Sequence, residues 1–228
     1  MIIGTGLIAH ALKDIDSGAM LYFASGVSNS LETRSSEFER EFSLLKKSVE
    51  ENKARKLVYF STLSILDQSK QNSHYVLHKK EMEDYIKKHL ESYLILRIGN
   101  IVGNGGNPNT LFNFLKNQIT EDREFTLHNK ARRLLIDIDD ISRFLESACA
   151  QLHNQTINFA FPYYYNLKEI IRILEQQMGR TAKYNETDEG DFYKVDFDEK
   201  TENFFTGTDP QEYLQVLAQK YIQKHQNG

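Results

Sequence analysis

The sequence predicts an α/β fold, a parallel sheet flanked by helices, and three observations predict it. Short apolar runs alternate with longer stretches of helical periodicity, the pattern of strands joined by helical crossovers. Two of those runs, Leu57-Val58-Tyr59-Phe60 and Leu94-Ile95-Leu96, are not interrupted by polar residues, as expected of strands buried on both faces. A glycine turn, Gly4-Thr5-Gly6, follows the first apolar run and leads straight into a helical stretch.

Residues 1–3 form the first apolar run, and residues 7–13 read as a helix. Residues 19–24 are a second apolar run. Over residues 36–51, Phe38, Phe42, Leu45 and Val49 fall at helical spacing. Residues 57–60 are a third strand, and residues 75–90 a helix with Tyr75, Met82, Tyr85 and Ile86 among its larger apolar side chains. A fourth strand covers residues 93–98. Helices follow over 110–119 and 139–151, the second opening on acidic residues that suit the positive end of a helix dipole, with Asp139 and Asp140 as expected caps. A late strand at 157–160 precedes a helix over 167–178, closed by Gly179 as C-cap. The last helix, 210–224, has Asp209 as N-cap and Pro210 at its first position. The polar tail 223–228 is expected to fray.

A chain of 228 residues suffices for one domain with a small lobe and a sizeable core. A net charge of −4 provides no strongly basic face, so nucleic acid is not an expected partner. The single cysteine, Cys149, excludes an internal disulfide and reads as a buried thiol; the low cysteine count suits a reducing cytoplasm. No apolar run is long enough to span a membrane, and no basic segment precedes residues 1–3, so neither a membrane anchor nor a signal peptide is expected. No metal site is expected.

Ile2-Ile3-Gly4-Thr5-Gly6-Leu7-Ile8-Ala9 spells G-x-G-x-x-A between a strand and a helix. Gly4 permits the tight turn, Gly6 lets the backbone approach a pyrophosphate, and Ala9 keeps the helix close to the sheet. The amides that open the helix, at Leu7 and Ile8, would meet the phosphates. The alternative is a plain strand-to-helix turn. Dinucleotide-binding folds place an acidic residue at the end of the second strand to hold the adenosine ribose. Here the next run ends in Phe23-Ala24-Ser25-Gly26 without one. Either the cofactor is the phosphorylated form, or the run is a different strand, or the adenosine half is held poorly.

Phe60-Ser61-Thr62 closes a strand, and Tyr75-Val76-Leu77-His78-Lys79 opens a helix soon after. Tyr and Lys four apart share a helix face. Hydride transfer at a carbon bearing oxygen needs a group that passes a proton to that oxygen. A tyrosine hydroxyl ordinarily ionises near pH 10, roughly, too high for a base at neutral pH; a neighbouring ammonium stabilises the phenolate. Lys79 would do this and bond the nicotinamide ribose, while Thr62 would hold the substrate oxygen by its hydroxyl. The alternative is a surface Tyr and Lys on an amphipathic helix. His78 reads as a helix-surface histidine.

These residues, in this order, resemble the extended short-chain dehydrogenase/reductase family, which includes nucleotide-sugar epimerases, 4,6-dehydratases and 4-ketoreductases. Leu57-Val58-Tyr59-Phe60-Ser61-Thr62 resembles the family strand that ends in the catalytic Ser or Thr. Leu96-Arg97-Ile98-Gly99-Asn100-Ile101-Val102-Gly103 resembles its L-R-x-x-N-x-x-G segment, and Arg133-Leu134-Leu135-Ile136-Asp137-Ile138-Asp139-Asp140 its R-x-F-I-H-V-D-D segment, with Asp137 in place of the usual His. The resemblance covers residues 1 to about 222. It implies a Rossmann-type sheet over residues 1–160, with 104–135 adding to a small substrate lobe completed by 161–228. It implies NAD or NADP as cofactor, held by Gly4, Gly6, Leu7, Ile8, Ala24, Ser25, Gly26, Ser61, Tyr75, Lys79 and Ile98. It implies catalysis by Thr62, Tyr75 and Lys79, and a nucleotide-sugar substrate touched by Thr62, Asn100 and Arg133.

The departures from the family pattern are at the front end. Ala24-Ser25-Gly26 resembles the turn after the family's fourth strand, in which case the second and third strands are missing and the first strand lies at a sheet edge. A second alignment makes residues 19–24 the second strand, with Ser25 or Arg34 near a 2′-phosphate. The function expected is an NAD(P)-dependent oxidoreductase or epimerase on a nucleotide-activated sugar, cytoplasmic, in polysaccharide biosynthesis. A homodimer is expected through the Tyr-Lys helix and its neighbour, using Phe38, Phe42, Leu45 and Tyr85. The other reading is a catalytically weak relative with a binding or regulatory role.

Overall fold

The computed structural model describes residues 1–105, 107–190 and 192–222, so the tail expected to fray lies outside the described residues, as does Gly106 of the loop before the 110–119 helix. Strand β1 (Ile2–Ile3) enters helix α1 (Leu7–Ala11) through the glycine turn, and β2 (Met20–Phe23) leads to α2 (Ser35–Glu51). Next come β3 (Lys56–Thr62), α3 (His74–His89), β4 (Tyr93–Ile98) and β5 (Asn100–Val102). Then follow α4 (Leu111–Thr120), β6 (Glu124–His128), β7 (Arg132–Arg133), β8 (Leu135–Asp137) and α5 (Ile138–Ala148). The chain ends in β9 (Gln155–Phe159), β10 (Tyr165–Asn166), α6 (Leu167–Met178), β11 (Lys183–Thr187), α7 (Glu199–Phe204) and α8 (Pro210–Tyr221).

Five strands are parallel in the order β1-β2-β3-β4-β9. Ile3 pairs with Phe23, Phe23 with Tyr59, Thr62 with Ile98, and Ile98 with Phe159. The carboxyl ends at Gly4, Ala24, Thr62, Gly99 and Ala160 therefore form one rim. This order decides between the two alignments. A second Rossmann strand would pair with the far edge of β1. Instead β2 lies between β1 and β3, in the place of the fourth strand, and β1 is the sheet edge among the described residues.

Alternate strand residues point to opposite faces. Leu21, Phe23, Leu57, Tyr59 and Ile95 meet Leu45 of α2 and Met82 and Ile86 of α3. Tyr22, Val58, Leu94 and Leu96 face the other way, toward Leu12 after α1 and Ile141 and Phe144 of α5. The steps β1 to β2, β2 to β3 and β3 to β4 all run in one direction across the sheet. Because α1 covers one face while α2 and α3 cover the other, the β1-α1-β2 connection has the opposite hand to the two that follow. Crossovers between parallel strands are right-handed in about 98% of cases. The exception falls where α1 would lead to strands beyond β1; residues 12–19 turn the chain back instead.

Beyond β4, small strand pairs build the lobe: β5 with β8, β6 with β11, and β7 with β10. Leu115 of α4, Ile170 and Leu174 of α6, and Leu214 and Leu217 of α8 belong to the same apolar cluster as Val58 and Leu96, so lobe and sheet share one core. At the start of α5 the cap is Asp137, whose carboxylate accepts the Asp139 amide at 3.0 Å. Asp140, expected to cap, is fully buried and accepts the Tyr213 hydroxyl at 2.6 Å, tying α8 to α5. Cys149 is buried in the turn that closes α5.

Candidate active site

The two turn glycines differ. Gly4 has φ +126°, and a Cβ there would lie 2.5 Å from the Ala24 carbonyl oxygen, so the fold requires glycine. Gly6 has φ −80°, and a Cβ there would meet nothing within 4 Å. Gly6 thus leaves open space above the turn. The side chains of Leu7 and Ile8 are half-buried and pack against the core. With five residues, α1 aligns few peptide dipoles behind the turn.

Thr62 ends β3. Its Oγ1 accepts the Ser64 amide at 3.1 Å, which leaves the hydroxyl hydrogen to donate. Ser61 points to the other side of the strand, where its buried hydroxyl donates to Glu83 at 2.7 Å, so only its main chain reaches the rim. Ser73 caps α3 by accepting the Val76 amide at 3.2 Å. Tyr75 therefore falls in the first turn and Lys79 one turn later, with Lys79 Nζ 5.9 Å from the Tyr75 ring centre. Helix α3 packs against β3 and the turn after it, which sets Thr62 and the Tyr75–Lys79 pair on the same stretch of rim.

Lys79 is buried among partners. Its Nζ donates to Glu41 Oε1 at 2.8 Å and to the Tyr59 hydroxyl at 3.1 Å. Tyr59 donates onward to Glu41 Oε1 at 3.2 Å. The other carboxylate oxygen takes the Val27 amide at 2.8 Å and stands 3.1 Å from His78 Nε2. Two of the three ammonium hydrogens have partners. Burial alone would raise the Glu41 carboxyl, but the Lys79 charge and the bonds from His78, Lys79 and Val27 outweigh it and hold it at about 2. Burial would lower Lys79, but the Tyr59 oxygen and Glu41 outweigh it and keep it above its ordinary value. The pair is therefore ionised at neutral pH. The main chain passes directly over it: a Cβ on Gly26 would lie 3.0 Å from Glu41 Oε1 and 3.1 Å from Lys79 Nζ. Ala24 and Ser25 lead into this crossing at the rim, half-buried.

His78 is not a surface residue. It is 5% exposed, and Glu41 and the Phe38 ring, 4.7 Å between centres, cover it. Helix α2 does this covering, and nothing in the local sequence around His78 announces it. Arg97 is structural, with Nε and one terminal nitrogen on Glu83 at 2.8 and 2.7 Å. Ile98 is buried at the end of β4. Gly99 is forced, because a Cβ would lie 2.8 Å from both Ala160 Cβ and the Leu134 carbonyl oxygen. Asn100 donates to that same carbonyl at 3.1 Å.

Asn100 and Arg133 line a cavity of about 150 Å³ with Asp67, Lys70, Tyr164 and Tyr193. Burial lowers the Arg133 guanidinium below its ordinary value, opposed by Tyr193 and Asp67, and it stays charged. Burial pushes the Tyr193 hydroxyl up to about 12. Sequence reasoning missed Glu41, Asp67, Lys70 and Tyr193. Only Glu41 left a signal: it is a carboxylate inside the apolar stripe of Phe38, Phe42 and Leu45. Among the described residues no cluster of His, Cys, Asp and Glu gathers as a metal site, and no helix is long and apolar enough to cross a membrane.

The sheet, the glycine turn and the rim define an α/β protein of Rossmann type. Solved structures share this fold. A UDP-N-acetylglucosamine 4-epimerase from Methanobrevibacter ruminantium, in complex with UDP-N-acetylmuramic acid, matches with TM-score 0.69 at 15% identity, over 96% of this chain and 81% of that one. A UDP-glucuronic acid 4-epimerase from Bacillus cereus, in complex with UDP-glucuronic acid and NAD, matches with TM-score 0.70 at 20% identity, over 95% and 78%. A dTDP-glucose 4,6-dehydratase from Bacillus anthracis, in complex with NAD, matches with TM-score 0.67 at 16% identity, over 96% and 77%. No protein-family model matches the sequence, and no curated protein does. At these identities the likeness is one of fold.

Proposed function

We propose that this protein is an NAD(P)-dependent oxidoreductase or epimerase acting on a nucleotide-activated sugar, by interconversion of a hydroxyl and a keto group at C4. The observation that carries the reading is the buried Lys79 ammonium, held by Glu41 and Tyr59 with one hydrogen left over, one helical turn from Tyr75 at the strand ends. A scaffold without chemistry has no physical need for a buried ion pair at that rim, because such a pair is seldom more stable than the apolar packing that could replace it. Neighbours in fold that bind UDP-sugars and NAD support the same reading.

In this reading Tyr75 passes a proton to or from the sugar oxygen, Lys79 stabilises the phenolate, and Thr62 orients that oxygen with its free hydroxyl hydrogen. A bound nicotinamide dinucleotide supplies or accepts the hydride at the carbon. The nicotinamide half would lie between Gly26, Ile98 and the Tyr75–Lys79 pair, with Gly4, Gly6 and the Leu7 and Ile8 amides at the phosphates. Arg133, Arg132 and Lys70 outnumber Asp67 in the cavity lining and give it a positive charge that would suit a sugar nucleotide's phosphates, and Asn100 adds a neutral amide. Residues 1–160 would carry the cofactor, and 104–135 with 161–228 the substrate. A cytoplasmic setting, a polysaccharide pathway and a homodimer belong to the same proposal. Phe42 and Tyr85 pack edge-to-face at 5.2 Å within the chain, under Lys46, so a second copy would meet the outer surfaces around them.

The second reading, a weak or inactive relative with a binding role, draws on the edge position of β1 and the lack of an acidic residue closing β2. Turnover decides between them. Wild type with NAD and a panel of UDP- and dTDP-sugars should convert at least one, while Tyr75→Phe, folded and melting normally, should not. Equal conversion by both would remove Tyr75 from the mechanism, and no conversion by wild type would favour the second reading.

A further inference from the structure

We infer that the cofactor site grips the nicotinamide mononucleotide half and leaves the adenosine half in solvent, so that it does not distinguish NAD from NADP. This rests on the cofactor reading above. Dinucleotides bind across the crevice where the strand order of a parallel sheet reverses. Here the order β1-β2-β3-β4 never reverses, and among the described residues β1 is the edge, with no strand end beyond Gly4 to face an adenosine.

No carboxylate of residues 1–35 stands in for one. Residues 1–35 are all described and contain three carboxylates, Asp14, Asp16 and Glu32. Asp16 is bound to the chain's amino terminus, at the end of β1 opposite the rim, and Asp14 lies in the turn just before it. Glu32 is occupied by the Thr33 and Arg34 amides, each at 3.0 Å, and by the Arg34 side chain at 2.9 and 2.7 Å. Arg34, the cation that the second alignment sets near a 2′-phosphate, is paired with Glu32 at the surface.

The other half of the site is built. A Cβ on Gly26 would lie 3.1 Å from Lys79 Nζ, two of the three Lys79 hydrogens have partners, and the Tyr75 ring centre is 5.9 Å away. Contacts to a cofactor are thus concentrated on its nicotinamide, the adjoining ribose and the phosphate at Gly4–Gly6.

The test is calorimetric titration of the whole protein with NADH, NADPH, reduced nicotinamide mononucleotide and ADP-ribose. Ionic strength near 0.15 M, roughly, suppresses the long-range charge difference of the 2′-phosphate. The expected result is that NADH, NADPH and the mononucleotide bind within about tenfold of one another, or about 1.4 kcal/mol, and that ADP-ribose binds more than about tenfold more weakly than NADH. NADH or NADPH binding more than about tenfold tighter than the mononucleotide would overturn the inference, as would ADP-ribose matching NADH. Failure of all the nicotinamide ligands to bind up to millimolar concentration would instead bring down the cofactor reading itself, and this inference with it.

Discussion

The two ends of the rim are built to different standards. Around Lys79, every charge has a partner: Glu41 takes the ammonium, a tyrosine hydroxyl and a main-chain amide and faces a histidine, all inside the protein. Around Gly6, by contrast, the turn is exposed, the helix behind it has five residues, and the sheet stops at β1. A buried ion pair is seldom a gain in stability over apolar packing. Its presence at one end and the bareness of the other agree with the proposal that the chemistry lies at the Tyr75–Lys79 end.

That contrast can be broken by substitution. The largest effect should come from Tyr75→Phe, which removes the proton-transfer group and should lower kcat by about 10²–10⁴-fold while NADH binding and the melting temperature stay near wild type. Steady-state kinetics beside thermal melts check this. Next is Glu41→Ala, which leaves Lys79 buried without its counter-charge and should cost about 3–5 kcal/mol in urea unfolding. A loss under about 1 kcal/mol would mean that Lys79 reaches solvent and that the network is loose.

The same carboxylate sets an acid limb. Its folded value, about 2, lies below its ordinary 4.5. A depressed carboxyl stabilises the fold above its unfolded value, and that stability is lost as pH falls through 4.5 toward about 2. Glu83, also lowered against the push of burial by Arg97, Lys87 and Ser61, adds to the same limb. Unfolding free energy measured against pH should fall less steeply over that window in Glu41→Gln than in wild type. Smaller still is the glycine pair. Gly4→Ala forces a positive φ and a clash with Ala24, costing about 1–3 kcal/mol, whereas Gly6→Ala should stay within about 0.5 kcal/mol. Equal costs at the two positions would contradict the open space above Gly6.

Tyr75 and Lys79 were legible in the sequence because their relation is local: four residues apart on a helix that follows a strand ending in Ser61-Thr62. Unlike short lobe strands such as Lys183–Thr187, which carry no apolar run, the five strands of the main sheet were legible as short apolar runs. What β2 pairs with was not, because a strand's sequence does not name its neighbours; the pairing of Met20–Phe23 with both β1 and β3 decided it. Glu41 meets Lys79 across 38 positions, so the buried network, and with it the burial of His78, required the packing of α2 on α3. Asp140 looked like a cap because its partner, Tyr213, lies 73 residues away. Tyr193 reaches the cavity from a segment with no periodic pattern of its own.

In the proposed function, a nicotinamide cofactor sits over the glycine turn against the Tyr75–Lys79 pair. Titration of NADH into wild type and Gly6→Val in parallel tests it most directly. The account predicts saturable binding below millimolar in wild type, and loss of binding in a variant whose melting temperature is unchanged, since only a ligand would meet the new side chain. Equal affinity in the two proteins, or no binding to wild type, would contradict it.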